Sequence, residues 1–191
     1  MKAAYKNARR FVDKLFTTLI NAFLKILFRD KYSCGNGARF SGAPRILPLA
    51  GKINIGKNAR LSSRLLSNIL GVDHPVIIAT IQNGEITIGE DFHISGGSIV
   101  ARKKITIGDN VYVGSNCTIT DSDHHEIDFQ RRRDGKSSKI QTSPISIGDD
   151  VWIGANVTIL KGVNIGNRAI VGAGVTVRRS IPADTILGVN N

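Results

Sequence analysis

The sequence is poor in cysteine, in aromatic side chains and in acidic residues. Its two cysteines, Cys34 and Cys117, are too few for a disulfide framework and have no metal-ligand spacing, so we expect two reduced thiols in a cytoplasmic protein. Aromatic residues make up 6% of the 191 residues, and no recognition motif accompanies them, which argues against a nucleic-acid binder. Only 15 acids stand against 26 lysines and arginines, and the net charge of +11 predicts an anionic partner such as a membrane surface or a phosphorylated ligand.

Long apolar runs are also absent. Within the first thirty residues the longest uncharged stretch is 15–24, which is too short to span a bilayer, and no signal peptide is apparent. Residues 1–31 lack glycine and proline, and carry eight lysines and arginines beside apolar side chains at helical spacing, namely Phe11, Leu15, Leu19, Phe23 and Ile26. We predict a basic amphipathic helix over 1–31 that contacts the inner face of a membrane peripherally. Packing of this helix on the body of the protein or on a neighbouring subunit is the alternative, and the two roles are compatible.

An aliphatic residue recurs at every sixth position after the N-terminal region. The strictest series is Ile147, Ile153, Ile159, Ile165, Val171 and Val177. Earlier series run through Ile107, Val113 and Ile119, through Ile88, Ile94 and Val100, and through Ile55 and Leu61, with glycine following many of these residues. Because six is a multiple of two but not of 3.6, a six-residue repeat keeps one side of a strand facing inward and cannot do so in a helix.

Each six-residue unit is therefore a short strand followed by a corner. Asn110, Asn116, Asn156 and Asn167 are expected at corners, where asparagine tolerates the turn. Stacked coils of this kind pair their backbones in parallel and bury the aliphatic column. We predict a mainly β, parallel solenoid over residues 32–191, with Cys117 lining its inner wall.

The six-residue repeat is interrupted between Ile119 and Ile147, whose separation is not a multiple of six. The extra residues predict a loop at about 121–144 that leaves the solenoid and carries the adjacent histidines His124 and His125. Histidine is the natural general base near neutral pH. The run Arg131–Arg133 is expected to be solvated, with binding of an anionic ligand as the alternative.

The stretch ISIGDDVWIGANVTILKGVNIGNRAIVGAGVTVRRSIPADTILG, residues 145–188, resembles the C-terminal half of the hexapeptide-repeat acyltransferases. The resemblance extends over about residues 50–188 and is strongest for the sugar and xenobiotic O-acetyltransferases. It implies a left-handed parallel β-helix, a homotrimer, and acetyl-CoA bound between neighbouring subunits. An O-acetyltransferase acting on a sugar, in surface polysaccharide biosynthesis, is the function that it implies first.

The same resemblance implies site residues. The run from Asp121 to Asp128 fits the family's histidine motif, with His125 in the catalytic place and His124 in the aromatic one. One of Asp121, Asp123 or Glu126 is expected to orient the imidazole. The positions that match the family's coenzyme contacts are Trp152, Ala155, Ala173, Arg178 and Arg179.

Several alternatives stay open. A sugar N-acyltransferase or a xenobiotic acetyltransferase would need nearly the same residues, and a non-catalytic hexapeptide-repeat assembly protein would need no base. Zinc catalysis is disfavoured, because the only histidines are His74, His93 and the adjacent pair, and neighbouring residues in a strand point to opposite sides. His74 and His93 are expected at the surface or at corners. Relatives continue with Gly-x-Pro-Ala-Lys where this chain has Asn190 and Asn191, so a coenzyme contact from that tail is in doubt.

Overall fold

The structure is a computed structural model that describes residues 2–65 and 68–188, with residues 2–10 as backbone alone. The C-terminal Asn190 and Asn191 lie outside the described residues. The described helical segments are α1 (Lys2–Phe28), a 3-10 turn (Arg29–Lys31) and α2 (Phe129–Arg133).

The rest of the regular structure in the described residues consists of short strands. In chain order they are β1 (Tyr32–Cys34), β2 (Arg39–Ser41), β3 (Arg45–Pro48), β4 (Lys52–Ile55), β5 (Arg60–Ser62), β6 (Ile77–Thr80), β7 (Glu85–Ile88), β8 (His93–Ser95), β9 (Ser98–Ala101), β10 (Lys104–Ile107), β11 (Tyr112–Val113), β12 (Thr118–Thr120), β13 (Ile145–Ile147), β14 (Trp152–Ile153), β15 (Thr158–Ile159), β16 (Asn164–Ile165), β17 (Ile170–Val171), β18 (Thr176–Val177) and β19 (Ile186–Leu187).

Successive strands belong to different sheets, so that three strands make one triangular coil. Sheet 1 has the order β1-β4-β7-β10-β13-β16, sheet 2 the order β2-β5-β8-β11-β14-β17-β19, and sheet 3 the order β3-β6-β9-β12-β15-β18. Neighbouring strands pair in parallel throughout these sheets. The fold is the mainly β, left-handed parallel β-helix that the six-residue repeat and the family resemblance predicted.

The aliphatic column forms the core, as the repeat predicted. All six residues of the strict series, from Ile147 to Val177, are at most 2% exposed. Their registers stack like on like, as in sheet 1, where Ile107 lies opposite Ile147 and Ile147 opposite Ile165. Burial of each such side chain contributes about 1.5–3 kcal/mol relative to an exposed one. Cys117 is buried in the same wall, where its thiol donates to the carbonyl of Gly154 at 3.0 Å and burial raises its pKa to about 11.

The corners require left-handed backbone, and asparagine supplies it at three of the four predicted positions. Asn110, Asn116 and Asn156 have φ angles of 55°, 62° and 58°. Asn167 also lies in its corner turn, where the following residue, Arg168, takes the left-handed conformation with a φ of 59°. Asn167 accepts a hydrogen bond from the backbone nitrogen of Asp149 through Oδ1 at 3.0 Å, which ties its corner to the preceding coil.

Helix α1 covers the open end of the first coil. The hydroxyl oxygen of Thr17 accepts a hydrogen bond from the backbone nitrogen of Phe40, on the edge strand β2, at 2.7 Å. Leu24 is buried against the core, and the hydroxyl of Tyr32 donates to Asn21. An edge strand left open would offer unpaired backbone groups to other chains, so the helix protects this end of the solenoid.

The apolar face predicted for α1 points away from the solenoid. Its five members, Phe11, Leu15, Leu19, Phe23 and Ile26, are between 52% and 77% exposed. Packing on the body occurs through the opposite face instead. In the described part of the chain, no helix combines the length and the apolar character needed to cross a membrane.

Candidate active site

The interruption of the repeat is a loop, residues 121–144, that leaves the solenoid after β12 at the corner between sheets 3 and 1. Asp121 fixes its base. This residue is fully buried, and its Oδ1 accepts a hydrogen bond from the backbone nitrogen of Arg102 at 2.7 Å. Its Oδ2 accepts from the nitrogens of Lys103 at 2.8 Å and Lys104 at 2.6 Å. The carboxylate thus holds the preceding coil's corner, between β9 and β10.

The two arms of the loop are joined by backbone hydrogen bonds close to the solenoid. The nitrogen of Ser143 donates to the carbonyl of Asp121 at 3.0 Å, and the nitrogen of Asp123 donates to that of Gln141 at 3.1 Å. Ser143 also accepts from Gly162, in the next coil, at 3.0 Å. The loop is therefore anchored to the coils on both sides of it.

Glu126 organises the far part of the loop. It is buried, and its Oε1 accepts from the Arg131 guanidinium at 3.1 Å and from the Lys139 nitrogen at 2.6 Å. The hydrogen bond from Arg131 holds the pKa of Glu126 below its usual value. Arg132 donates to the carbonyls of Glu126 and Ile127. Arg132 and Arg133 are exposed, as expected for a solvated run, whereas Arg131 is half-buried and forms an ion pair with Glu126 inside the loop.

The two loop histidines differ in their surroundings. His124 has a left-handed backbone, with a φ of 61°, and its Nε2 lies 2.7 Å from the hydroxyl oxygen of Thr120. Its backbone nitrogen donates to the Ser122 hydroxyl. His125 is exposed, and among residues 2–65 and 68–188 no group bonds to its ring. The structure therefore holds His124 against sheet 3 and leaves both ring nitrogens of His125 available.

Within one chain, the expectation that an acid orients a histidine is wrong for the residues that the structure describes. Both carboxylate oxygens of Asp121 and the Oε1 of Glu126 accept the hydrogen bonds described above. Asp123 pairs through Oδ1 with the ammonium of Lys161, which follows β15 at the same corner as the loop. No imidazole bonds to any of the three.

The residues matched to coenzyme contacts lie on two neighbouring corners. Ala155 and Ala173 stack in successive coils between sheets 2 and 3, where the nitrogen of Gly174 donates to the Ala155 carbonyl at 2.8 Å. Arg178 and Arg179 follow β18 and are exposed. They lie at the corner between sheets 3 and 1, where the histidine loop leaves the solenoid two coils earlier and Lys161 lies one coil earlier. Trp152 is apart from all four, on the outer face of sheet 2, with 57% of its surface exposed.

Trp152 lines a groove on sheet 2 that the sequence did not reveal. The groove has a volume of about 270 Å³, and its walls include Arg60, Ser62, His93 and Tyr112. The His93 and Tyr112 rings meet edge to face, with centroids 4.4 Å apart. Burial, followed by the charge of Arg60, lowers the pKa of His93. The available signal was register: Arg60, His93, Tyr112 and Trp152 occupy equivalent outward positions in four successive coils.

Metal coordination finds no support in the described residues. They contain no group of three or more histidine, cysteine or acidic side chains that could hold a metal ion. His74, half-buried, uses Nδ1 in a contact of 2.9 Å with the Pro75 carbonyl oxygen.

Comparison with known proteins finds hexapeptide repeats and relatives named as acetyltransferases. The model of the hexapeptide repeat of succinyl-transferase matches residues 104–120 and 144–179. Galactoside O-acetyltransferase of Escherichia coli is 35% identical over 116 residues, which are 60% of this chain and 54% of that protein. An acetyltransferase-like protein of Schizosaccharomyces pombe is 44% identical over 85 residues, which are 43% of this chain and 38% of that protein. These matches show hexapeptide repeats in residues 104–120 and 144–179 and similarity to acetyltransferases over part of the chain. The chain spans about half the length, or less, of these curated relatives.

Two solved acyltransferase structures share the fold. AntD, an N-acyltransferase from Bacillus cereus in complex with dTDP and 3-hydroxybutyryl-CoA, has a TM-score of 0.65 at 21% identity, covering 87% of this chain and 84% of AntD. A hexapeptide-repeat acetyltransferase from Vibrio cholerae has a TM-score of 0.52 at 26% identity, covering 95% and 86%. The predicted fold is thereby confirmed.

Proposed function

We propose that this protein is an O-acetyltransferase that moves an acetyl group from acetyl-CoA to a hydroxyl of a sugar. The single observation that carries the proposal is the anchored loop, which presents His125 with both ring nitrogens available at the edge of the coils that bear the coenzyme-matched residues. His125 takes the proton of the acceptor hydroxyl as its oxygen bonds to the acetyl carbonyl carbon. As the carbon–sulfur bond breaks, His125 returns that proton to the departing sulfur.

The residues on the two corners fit coenzyme A. Ala155 and Ala173 keep the backbone of successive coils open to a pantetheine arm, since larger side chains at these positions would cover it. A Cβ on the adjacent Gly154 would lie 2.6 Å from the backbone nitrogen of Ala173, so even alanine is excluded at that position. The exposed guanidinium groups of Arg178 and Arg179 suit the phosphates.

The geometry of the coil favours a site shared between copies. In a triangular coil, the corner between sheets 3 and 1 lies opposite sheet 2, so the histidine loop and the Trp152 groove of one chain are on opposite sides of the solenoid. A neighbouring copy brings its own sheet 2 to that loop. We therefore include a homotrimer in the proposal, with the acceptor held between the loop of one subunit and the groove of the next.

The groove has the character of a sugar site. Tyr112 and Trp152 offer exposed aromatic surface, and Arg60, Ser62 and His93 add polar groups around it. The E. coli relative is named a galactoside O-acetyltransferase, and a structure of an AntD mutant contains the nucleotide sugar dTDP-4-amino-4,6-dideoxyglucose, so both support a carbohydrate acceptor. Together with the basic N-terminal helix, these features favour a role in polysaccharide biosynthesis at the inner face of a membrane.

Thiol release from acetyl-CoA tests this function. The acceptor panel contains free sugars, nucleotide sugars, amino sugars, lipid-linked glycans and antibiotics. We expect release that depends on a hydroxylated sugar and falls about 10²–10⁴-fold in His125→Ala. His74→Ala removes a histidine that bonds to a neighbouring carbonyl outside the loop, and should retain full activity.

Each other outcome has a definite meaning. Loss in His124→Ala with full activity in His125→Ala would transfer the role of base to His124. Release that requires an amino sugar would make the enzyme an N-acyltransferase, and release with antibiotics alone a xenobiotic acetyltransferase. No release with any acceptor and no coenzyme binding by calorimetry would refute the proposed function and leave an assembly protein.

A further inference from the structure

Helix α1 packs on the solenoid with its more apolar face turned toward the solvent. The exposed fractions are 68% for Phe11, 61% for Leu19 and 62% for Phe23, whereas Thr17 and Leu24 on the opposite face are 3% and 8% exposed. A surface helix of a globular protein normally buries its apolar stripe and exposes its polar side. Continuous apolar surface of this kind on a folded chain marks an interaction site.

The stripe is wide as well as long. Val12 and Leu27 extend it, with exposed fractions of 54% and 57%, so that large apolar side chains are exposed from residue 11 to residue 27. The solenoid cannot cover this surface, because it already holds the other face of the helix through Thr17, Leu24 and the Tyr32–Asn21 contact. Nothing in the described residues covers the stripe, so its occupant comes from outside them.

Charge beside the stripe is positive. Lys14 and Lys25 are exposed within the helix, and just after it the exposed Arg29 and Lys31 flank one exposed acid, Asp30. The acid within the described part of α1, Asp13, is neutralised by an ion pair with Arg64 at 2.9 Å. An apolar stripe flanked by cations complements a lipid interface whose headgroups are anionic.

We propose that α1 docks the protein on an anionic lipid bilayer, with Phe11, Leu15, Leu19, Phe23 and Ile26 inserted among the acyl chains and Lys14 and Lys25 at the headgroups. A second copy of the chain is a poorer occupant. Symmetric pairing of two such helices would bring the same lysines together, and like charges would oppose it. The docking surface is independent of the proposed chemistry, since it lies at the first coil and the histidine loop leaves the fourth.

Flotation with lipid vesicles tests the docking surface on the full chain. The vesicles are either purely zwitterionic or contain about a quarter of anionic lipid. We expect the wild type to float with the anionic vesicles, less at high salt, and the double variant Leu19→Glu/Phe23→Glu to lose at least tenfold in vesicle affinity. Glutamate is a good helix former, so helix propensity is retained.

A matched control separates the position of the change from its chemistry. Ile127→Glu/Phe129→Glu makes the same change in charge and removes two apolar side chains of similar exposure, 70% and 58%, from the loop rather than from α1. It should bind vesicles like the wild type. Circular dichroism and light scattering establish that both variants are folded and report their mass.

Two results would overturn the docking proposal. One is equal vesicle binding by the wild type and the α1 variant, with both well folded. The other is a wild type that does not bind anionic vesicles but forms an oligomer that the α1 variant does not form, which would make the stripe a contact between copies. Thiol release by detached protein with a soluble acceptor would leave the proposed function intact in either case.

Discussion

Replacement of Asp121 by alanine should destabilise the protein far more than its place beside a surface loop suggests. The carboxylate is fully buried and accepts three backbone hydrogen bonds, from the nitrogens of Arg102, Lys103 and Lys104. Alanine would leave all three donors without their acceptor. Hydrogen bonds to a charged group contribute about 1.5–3 kcal/mol each, and such terms do not add fully, so we expect a loss of about 3–5 kcal/mol in the free energy of unfolding.

The assay is thermal unfolding followed by circular dichroism. For a chain of this size a loss of that magnitude corresponds to a decrease of about 6–20 °C in Tm. Asp109→Ala is the matched control, because the exposed Asp109 carboxylate accepts one hydrogen bond, from the Glu90 nitrogen at 2.6 Å. It should cost about 0.5–1.5 kcal/mol. Equal Tm changes in the two variants would refute the assignment of Asp121 as the residue that holds the loop base.

Three further predictions concern the loop and the groove. Because the pKa of Glu126 is depressed below its usual 4.5, its contribution to the stability of the loop is present above that pH and is lost as the pH falls through the native pKa. Proteolysis within residues 121–144 should therefore increase at low pH, and Glu126→Gln should remove this pH dependence. Because the pKa of His93 lies below 6.5, protonation opposes folding and stability should decrease as the pH falls below that value; Arg60→Gln should raise the His93 pKa in an NMR titration. Trp152→Ala should raise the acceptor KM about tenfold while changing Tm by less than about 2 °C, since the side chain is largely exposed; an unchanged KM would remove Trp152 from the acceptor site.

The core could be predicted from sequence because its signal is local and repeated. A six-residue step fixes which side chains face inward, and Ile147, Ile153 and Val171 are buried as that step requires. The orientation of α1 could not be predicted in the same way. Its spacing identifies an apolar stripe, but the face that meets the solenoid is chosen by Thr17 and Leu24, whose partners lie in the first coil.

The candidate site shows the same division. The break in the repeat located the loop and its histidines, since that break is visible in one stretch of sequence. The engagement of Glu126 by Arg131 and of Asp121 by the preceding coil depends on side chains and backbone that only the folded loop brings together. The groove of Trp152 and His93 likewise joins residues from separate coils, and their common outward register becomes visible only when the strands are aligned.

The stacked coils also set the distance of each residue on sheet 2 from the end of the solenoid that α1 covers. Arg39, Arg60, His93, Tyr112 and Trp152 lie one above another along sheet 2, four strand spacings from the first coil to the fifth. At about 4.8 Å per spacing, Trp152 stands about 19 Å from the end that α1 covers. If α1 docks on a bilayer and the groove takes the acceptor, as proposed, a lipid-tethered glycan would meet Trp152 at a fixed number of sugar units from its anchor, and insertion or removal of one coil would shift that position by a single spacing.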